Sequence, residues 1–321
     1  MTASTDGRPG ARGAGVSAPD FLIVGHHKSG TTALYEMLRR HPQIYMPALK
    51  EPRYFASDLR ELFEPVRTGR LPHTLEEYLA LFDGATPGQI TGEASPSYLR
   101  STVAARKIAE VRPDARIIAI LREPASFVRS LHLQLLQERV ETERDLRKAV
   151  EGELIERGGR VVRRYSDHVH YVEQLRRFQD VFGAEQMLVL IYDDFRADNR
   201  ATLDTVLRFL HVDPAVTVEA IEANPSVHVR SPRLQRLVGT VYSGQGPVLG
   251  ALKAAAKAVT PEGVRQGALQ SLRRRLVYTS PPPPDAEFER VLRSRFKPQV
   301  VELSDFLERD LVTEWGYRDL G

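Results

Sequence analysis

The segment FLIVGHHKSGTTALYEMLRRHP, residues 21–42, constrains the fold of this chain more than any other stretch. An apolar run, Phe21–Val24, meets a turn bounded by Gly25 and Gly30. Ala33, Leu34, Met37 and Leu38 then recur at helical spacing until His41-Pro42. A strand that turns at glycines into an amphipathic helix opens a strand–helix unit, and such units build parallel sheets. Three further apolar runs, Gln89–Thr91, Arg116–Leu121 and Met187–Tyr192, predict more buried strands. Helical patterns alternate with them: Ala104, Ile108 and Val111 before Pro113, Val172, Leu175, Phe178 and Phe182 ahead of the last strand, and Leu203, Val206, Leu207 and Leu210 after it. The expectation is an α/β fold, a central parallel sheet flanked by helices on both faces, with a C-terminal helical extension over Ala286–Leu311.

The remaining segments are less regular. Residues 1–19 are rich in Gly, Ala and Ser and read as a disordered leader, neither a secretory signal nor a membrane anchor. No window is apolar for long enough to span a bilayer, so a soluble, cytoplasmic protein is expected. Residues 20–321 read as one domain, in which 225–285, ending in the run Pro281–Pro284, form a variable and mobile region. The chain has 321 residues and no cysteine, which excludes disulfides, thiolate metal sites and a cysteine nucleophile. Its formal net charge of +3 suits a small anionic ligand and is too weak to argue for nucleic acid.

The turn after the first strand is an anion cradle by construction. Backbone N–H groups converge on the start of the helix, where the helix dipole is positive, and Thr31 and Thr32 add hydroxyl donors. Nucleotide triphosphatases read G-x-x-x-x-G-K-[ST] at such a turn, with lysine directly after the second glycine. Here Gly25 and Gly30 keep that spacing but the lysine stands upstream, at Lys28. The alternative is an ordinary strand–turn–helix corner capped by threonines. A kinase or triphosphatase using Mg-ATP is a second alternative, since MLVLIYDD imitates a strand that delivers a magnesium ligand, Asp193. Asp193 and Asp194 also suit the cap of the following helix.

Two segments together resemble the sulfotransferases that use 3′-phosphoadenosine 5′-phosphosulfate (PAPS), in particular the heparan-sulfate-sulfotransferase-like branch and its soluble bacterial members. VGHHKSGTTALYEML is similar to the family's P-loop-like 5′-phosphosulfate loop, and RIIAILREPASFVRSLH to its 3′-phosphate site. The resemblance covers most of residues 20–225 and resumes near Phe288–Tyr317. It implies that Lys28, Ser29, Gly30, Thr31 and Thr32 hold the 5′ end of the donor, and Arg122 and Ser130 its 3′-phosphate. Pro124 suits a helix start, which puts Ser130 near the second turn. An arginine with a hydroxyl is apt for a terminal phosphate.

The resemblance also implies a metal-free transfer that leaves adenosine 3′,5′-bisphosphate, with Lys28 stabilising the leaving phosphate and a carboxylate as general base. ALKEPRYF is similar to the family's K-E-x-x-[FY]-F segment, which makes Glu51 the base; by itself Glu51 reads equally as half of a surface Lys-Glu pair. Glu93, in ITGEASPSYL, would line the active site, orient Lys28 or the acceptor, or pair with a buried arginine. His27 would line the loop, with His26 also on its exterior, and His132 is read as structural. No histidines show trusted metal-ligand spacing. The related heparan enzymes often carry lysine where Ala94 stands, so a small-molecule, sugar or glycolipid hydroxyl is expected as acceptor, with an amine as the lesser option. The Arg273–Arg275 cluster either closes over the 3′-phosphate or is a solvated helix face. A catalytically inactive nucleotide-binding module is the remaining alternative.

Overall fold

The structure is a computed structural model that describes residues 18–60, 71–138, 140–157, 160–216, 218, 228–229, 278–279 and 285–320. Residues 1–17 of the leader, most of residues 225–285, the Arg273–Arg275 cluster and the run Pro281–Pro284 lie outside the described residues. In chain order the strands are β1 (Phe21–Ile23), β2 (Ile44–Tyr45), β3 (Ile90–Ala94), β4 (Arg116–Leu121), β5 (Leu154–Arg157), β6 (Arg160–Arg163) and β7 (Met187–Ile191), with the short pair His228–Val229 and Tyr278–Thr279. Two compact units emerge, Met1–Leu121 with Gln174–Glu222, and Arg122–Glu173 with Ala223–Gly321.

The first unit contains a five-stranded parallel sheet in the order β2-β3-β1-β4-β7. β1 lies at its centre. Phe21, Leu22, Ile23 and Val24 are all fully buried, as are Ile117 to Leu121 of β4. This explains why both read as unbroken apolar runs rather than alternating ones. From β1 the chain crosses toward β2, and from β3 it crosses back over β1 to β4. Right-handed crossovers in opposite directions put their helices on opposite faces. The helix after β1, α1 (Thr31–Arg39), and the helix Ala104–Val111 are those two crossovers. At such a reversal, ligands bind outside the carboxyl ends of the strands, which here means the ends of β1 and β4.

Sequence and structure agree on β4 and nearly agree on β1 and β7. They differ at β3, which runs on to Ala94, and at β2, a two-residue edge strand too short to give a periodic signal. Gly92 owes its identity to this packing, because a Cβ there would lie 2.2 Å from the Phe21 ring. The expected cap at Asp193 and Asp194 is corrected. Both residues fall inside the first turn of the helix Tyr192–Ala197, and it is Asp198 that caps the next helix by accepting from the Ala201 N–H at 2.9 Å.

The second unit holds the helix Pro124–Glu138, the antiparallel hairpin β5–β6 and the C-terminal helix Ala286–Leu307. That last helix stops four residues short of the expected Leu311. Glu308 turns left-handed (φ 52°), and a separate short helix, Leu311–Glu314, follows. Phe288, Leu292, Phe296, Val300 and Leu303 form its buried stripe. Among the described residues no helix is long and apolar enough to cross a membrane.

Candidate active site

The turn after β1 is shaped by two close approaches. Gly25 lies against β4 so tightly that a Cβ would stand 2.0 Å from the Ile120 nitrogen, leaving no room for any other residue. Gly30 caps α1 in the left-handed region at φ 85°, without a side-chain cap. The first N–H groups of α1 therefore receive no side-chain oxygen from the cap residue, which suits an anion cradle. Lys28 is also left-handed at φ 62°. For a residue with a Cβ this costs roughly 1–2 kcal/mol, a strain that clusters at functional positions. Ser29 is buried and its hydroxyl donates to the His27 carbonyl at 3.4 Å, so it braces the turn from within. Thr31 is buried and Thr32 exposed.

The two histidines of the turn differ. His27 is half-buried; burial lowers it to about 4, with the Glu51 carboxylate opposing and Arg53, Lys50 and Arg100 adding to the shift. His26 does not line the exterior as expected. It is buried, its Nε2 lies 2.9 Å from Gln174 Oε1, and burial takes it down to about 3. The strand–turn geometry alternates side chains, and the residue directly after Gly25 points into the core. Both rings are neutral near pH 7 and neither supplies a cation to a bound anion.

Glu51 sits on an arm, residues 50–55, tied to the end of β3. Its N–H donates to the Ala94 carbonyl at 3.0 Å. Glu51 and Arg53 are both left-handed, at φ 60° and 55°. The Glu51 carboxylate accepts from Lys50 Nζ at 2.7 Å and from the Arg53 guanidinium. Burial opposes its ionisation, but His27, Lys50 and Arg53 override that and hold the carboxyl well below the usual carboxylate range. His27 and Glu51 lie near enough for the charge of each to act on the ionisation of the other.

Glu93 is fully buried on β3. Its carboxylate accepts from the Tyr78 hydroxyl at 3.1 Å and the Ser95 hydroxyl at 2.8 Å, and is hydrogen-bonded by Tyr98. Burial pushes it up to about 7, the three hydroxyls restraining the rise. Its described partners are hydroxyls rather than an arginine or Lys28. Ser95, Tyr78 and Tyr98 had no motif to mark them, although SPSY, one residue beyond the glutamate, is the signal that could have found two of the three.

In the second unit, Arg122 follows the last residue of β4 in the chain, and its carbonyl accepts from the Tyr171 hydroxyl at 2.8 Å. Glu123 is buried and caps the helix Pro124–Glu138, accepting from the N–H groups of Ala125 (3.1 Å) and Ser126 (2.6 Å). The Tyr317 hydroxyl donates to the same carboxylate, with Arg293 Nε at 3.6 Å. Ser130 is buried in the second turn. His132 is structural as expected: it is buried, bonded to the Tyr165 hydroxyl at 2.9 Å, and lowered by burial. Glu123 and Tyr317 were not anticipated. The acid directly before a proline that opens a helix was the available sign.

The described sheet is parallel, with a glycine turn carrying a lysine after its central strand and a carboxylate paired with Lys50 and Arg53 on a nearby arm. The chain belongs to the Sulfotransferase family, whose sequence profile it matches over residues 19–215. It is similar to human "Heparan sulfate glucosamine 3-O-sulfotransferase 6", 34% identical over 136 residues that make up 40% of this chain and 36% of that protein. It is also similar to mouse "Carbohydrate sulfotransferase 15", 27% identical over 283 residues, 70% of this chain and 49% of the relative. The chain thus spans half or less of the length of these relatives. Among solved structures, a sulfotransferase from Alicyclobacillus acidocaldarius shares the fold, with TM-score 0.62 and 23% identity over 92% of this chain and 98% of that one.

Proposed function

We propose that this protein transfers a sulfuryl group from PAPS to a hydroxyl of a sugar, glycolipid or other small acceptor, releasing adenosine 3′,5′-bisphosphate. The observation that carries this reading is the left-handed, non-glycine backbone at Lys28 on the turn and at Glu51 and Arg53 on the arm, a strain that clusters at functional positions. The uncapped start of α1, the Gly30 cap and Thr31 and Thr32 fit a phosphate group. Lys28 supplies the charge for the departing phosphate, and Arg122 and Ser130 are assigned to the 3′-phosphate. Residues 20–321 act in this reading as one transferase domain, and no metal is assigned.

The bound donor supplies the sulfuryl group. Glu51 takes the proton of the acceptor hydroxyl as the oxygen–sulfur bond forms and the sulfur–phosphate oxygen bond breaks. Its ion pairs keep it ionised and fixed but weaken it as a base. Proton transfer therefore comes late, when bonding to sulfur has made the acceptor O–H acidic. Lys50 and Arg53 add positive charge beside the base, which Ala94 does not. The names of the relatives support a carbohydrate hydroxyl as the class of acceptor.

The test has two arms. Adenosine 3′,5′-bisphosphate in EDTA should raise the melting temperature, and Mg-ATP should not; the reverse result would replace this reading with a kinase. Labelled PAPS incubated with the protein and a pooled small-molecule and oligosaccharide extract should yield a product heavier by one sulfuryl group. Binding without any such product would leave only a nucleotide-binding module.

A further inference from the structure

We propose that Glu93 is a positioning residue that clamps the Glu51 arm through two directed hydrogen-bond relays ending on its carboxylate. The inference rests on Glu51 being the base, and adds to that reading the group that holds the base in place.

The relays are fixed by donor polarity. The Arg53 N–H donates to Ser95 Oγ at 3.1 Å, so the Ser95 hydroxyl hydrogen is left to donate to Glu93 at 2.8 Å. The Phe55 N–H donates to the Tyr98 oxygen at 3.4 Å, and the Tyr98 hydroxyl is hydrogen-bonded to the same carboxylate. Tyr78 donates at 3.1 Å to Glu93 Oε1, the oxygen that Ser95 does not reach, and packs its ring against Tyr54 (4.9 Å) and Phe55 (4.9 Å) of the arm. Two backbone donors of the arm and three side-chain hydroxyls thus converge on one group. Once ionised, above about 7, the carboxylate only accepts and can terminate all of them; an amide brings donors of its own and must turn at least one against a hydroxyl hydrogen.

A clamp is needed because the arm is strained. Left-handed φ at both Glu51 and Arg53 is conformationally unfavourable and persists only where the surroundings over-determine it. The Arg53 relay bears directly on the base, since Arg53 also holds the Glu51 carboxylate. Among the described residues no cation pairs with Glu93, and such burial is unfavourable for stability, which is understandable where the group serves the site rather than the core.

The test needs no identified acceptor for its first part. Residue-resolved amide exchange is measured on the full chain and on Ser95→Ala, Tyr98→Phe and Glu93→Gln. Ser95→Ala should speed exchange about tenfold at Arg53 and less at Phe55, Tyr98→Phe most at Phe55, and Glu93→Gln at both, with β1 amides unchanged, since the Ser95 and Tyr98 hydroxyls are themselves hydrogen-bonded. Unaltered exchange in the single relay variants, or equal loss of protection throughout β1, would overturn the clamp.

The second part is transfer of label from PAPS into the pooled extract. Glu93→Gln should lower turnover about 10- to 100-fold with the KM for PAPS held. In a Glu51→Gln background it should lower turnover no further, because the base it positions is gone. An additive loss would mean that Glu93 acts elsewhere and would overturn the proposal. Wild-type turnover in Glu51→Gln alone would instead overturn the base assignment, a failure the exchange pattern keeps separate.

Discussion

The Glu51 arm and the Arg122 turn each present a charged side chain after a parallel strand, and they are built by opposite means. The arm departs from regular structure: two of its residues are left-handed, and its backbone donors go to hydroxyls 42 and 43 residues away. The Arg122 turn is regular. Glu123 caps the helix that Pro124 opens, using N–H groups two and three residues ahead, and Tyr171, Tyr317 and Arg293 reach it from afar. The difference suits the two assigned tasks. A phosphate ligand needs a fixed charge, which local capping supplies, whereas a base needs one orientation toward a reacting proton and is held by surroundings that over-determine it.

The largest effect should come from the arm. Glu51→Gln should reduce transfer by about 10²- to 10⁴-fold while adenosine 3′,5′-bisphosphate still raises the melting temperature. Retained turnover would erase the contrast between base and ligand. Arg122→Ala should act the other way. Calorimetric titration with the bisphosphate should show binding weaker by about 2–5 kcal/mol, with turnover at saturating PAPS within a few-fold of the parent. If turnover falls instead and affinity holds, the two regions have been given each other's roles.

Tyr317→Phe sharpens the comparison by removing the distant support of the regular turn. It leaves the buried Glu123 carboxylate one donor short, a loss of about 1–3 kcal/mol in denaturant unfolding. Amide exchange on the Glu51 arm should not change, since its relays share no residue with this bond. The smallest expected effect is a slope. Burial holds His26 at about 3 in the folded state against an ordinary 6.5, so the unfolded chain binds more protons. That contribution to stability is complete above about 6.5 and is lost as pH falls toward 3. Glu93 has the opposite sign: raised from 4.5 to about 7, its contribution is complete below 4.5 and is lost as pH rises through 7. His26→Gln should therefore flatten the acid limb of a melting-temperature profile and leave the limb above pH 5 governed by Glu93. An unchanged acid limb would show that His26 is not held neutral by the turn.

Legibility followed sequence distance. The Lys28 turn, β4 and the Arg122–Ser130 segment were readable because their signals lie within one strand–helix unit, where glycine spacing, apolar runs and a proline at a helix start act on near neighbours. The inward turn of His26 was misread, because its surroundings depend on Gln174 from another part of the chain. Glu93 was singled out, yet its partners were not. A carboxylate in a strand could equally have met Lys28 or an arginine until Tyr78, Ser95 and Tyr98 were brought around it. β2 went unseen because a two-residue edge strand has no period, and exists only by pairing with β3.

By itself, then, the sequence determined the alternation of strands and helices, the glycine turn with its displaced lysine, and the proline that opens the helix after Arg122. Each of these is decided by backbone sterics and hydrogen bonds between residues a few positions apart. The ionisation of Glu51 and Glu93, the neutral His26 and the clamp on the arm were decided by tertiary structure alone. Burial and charge pairing depend on which distant groups arrive, and no local pattern encodes that.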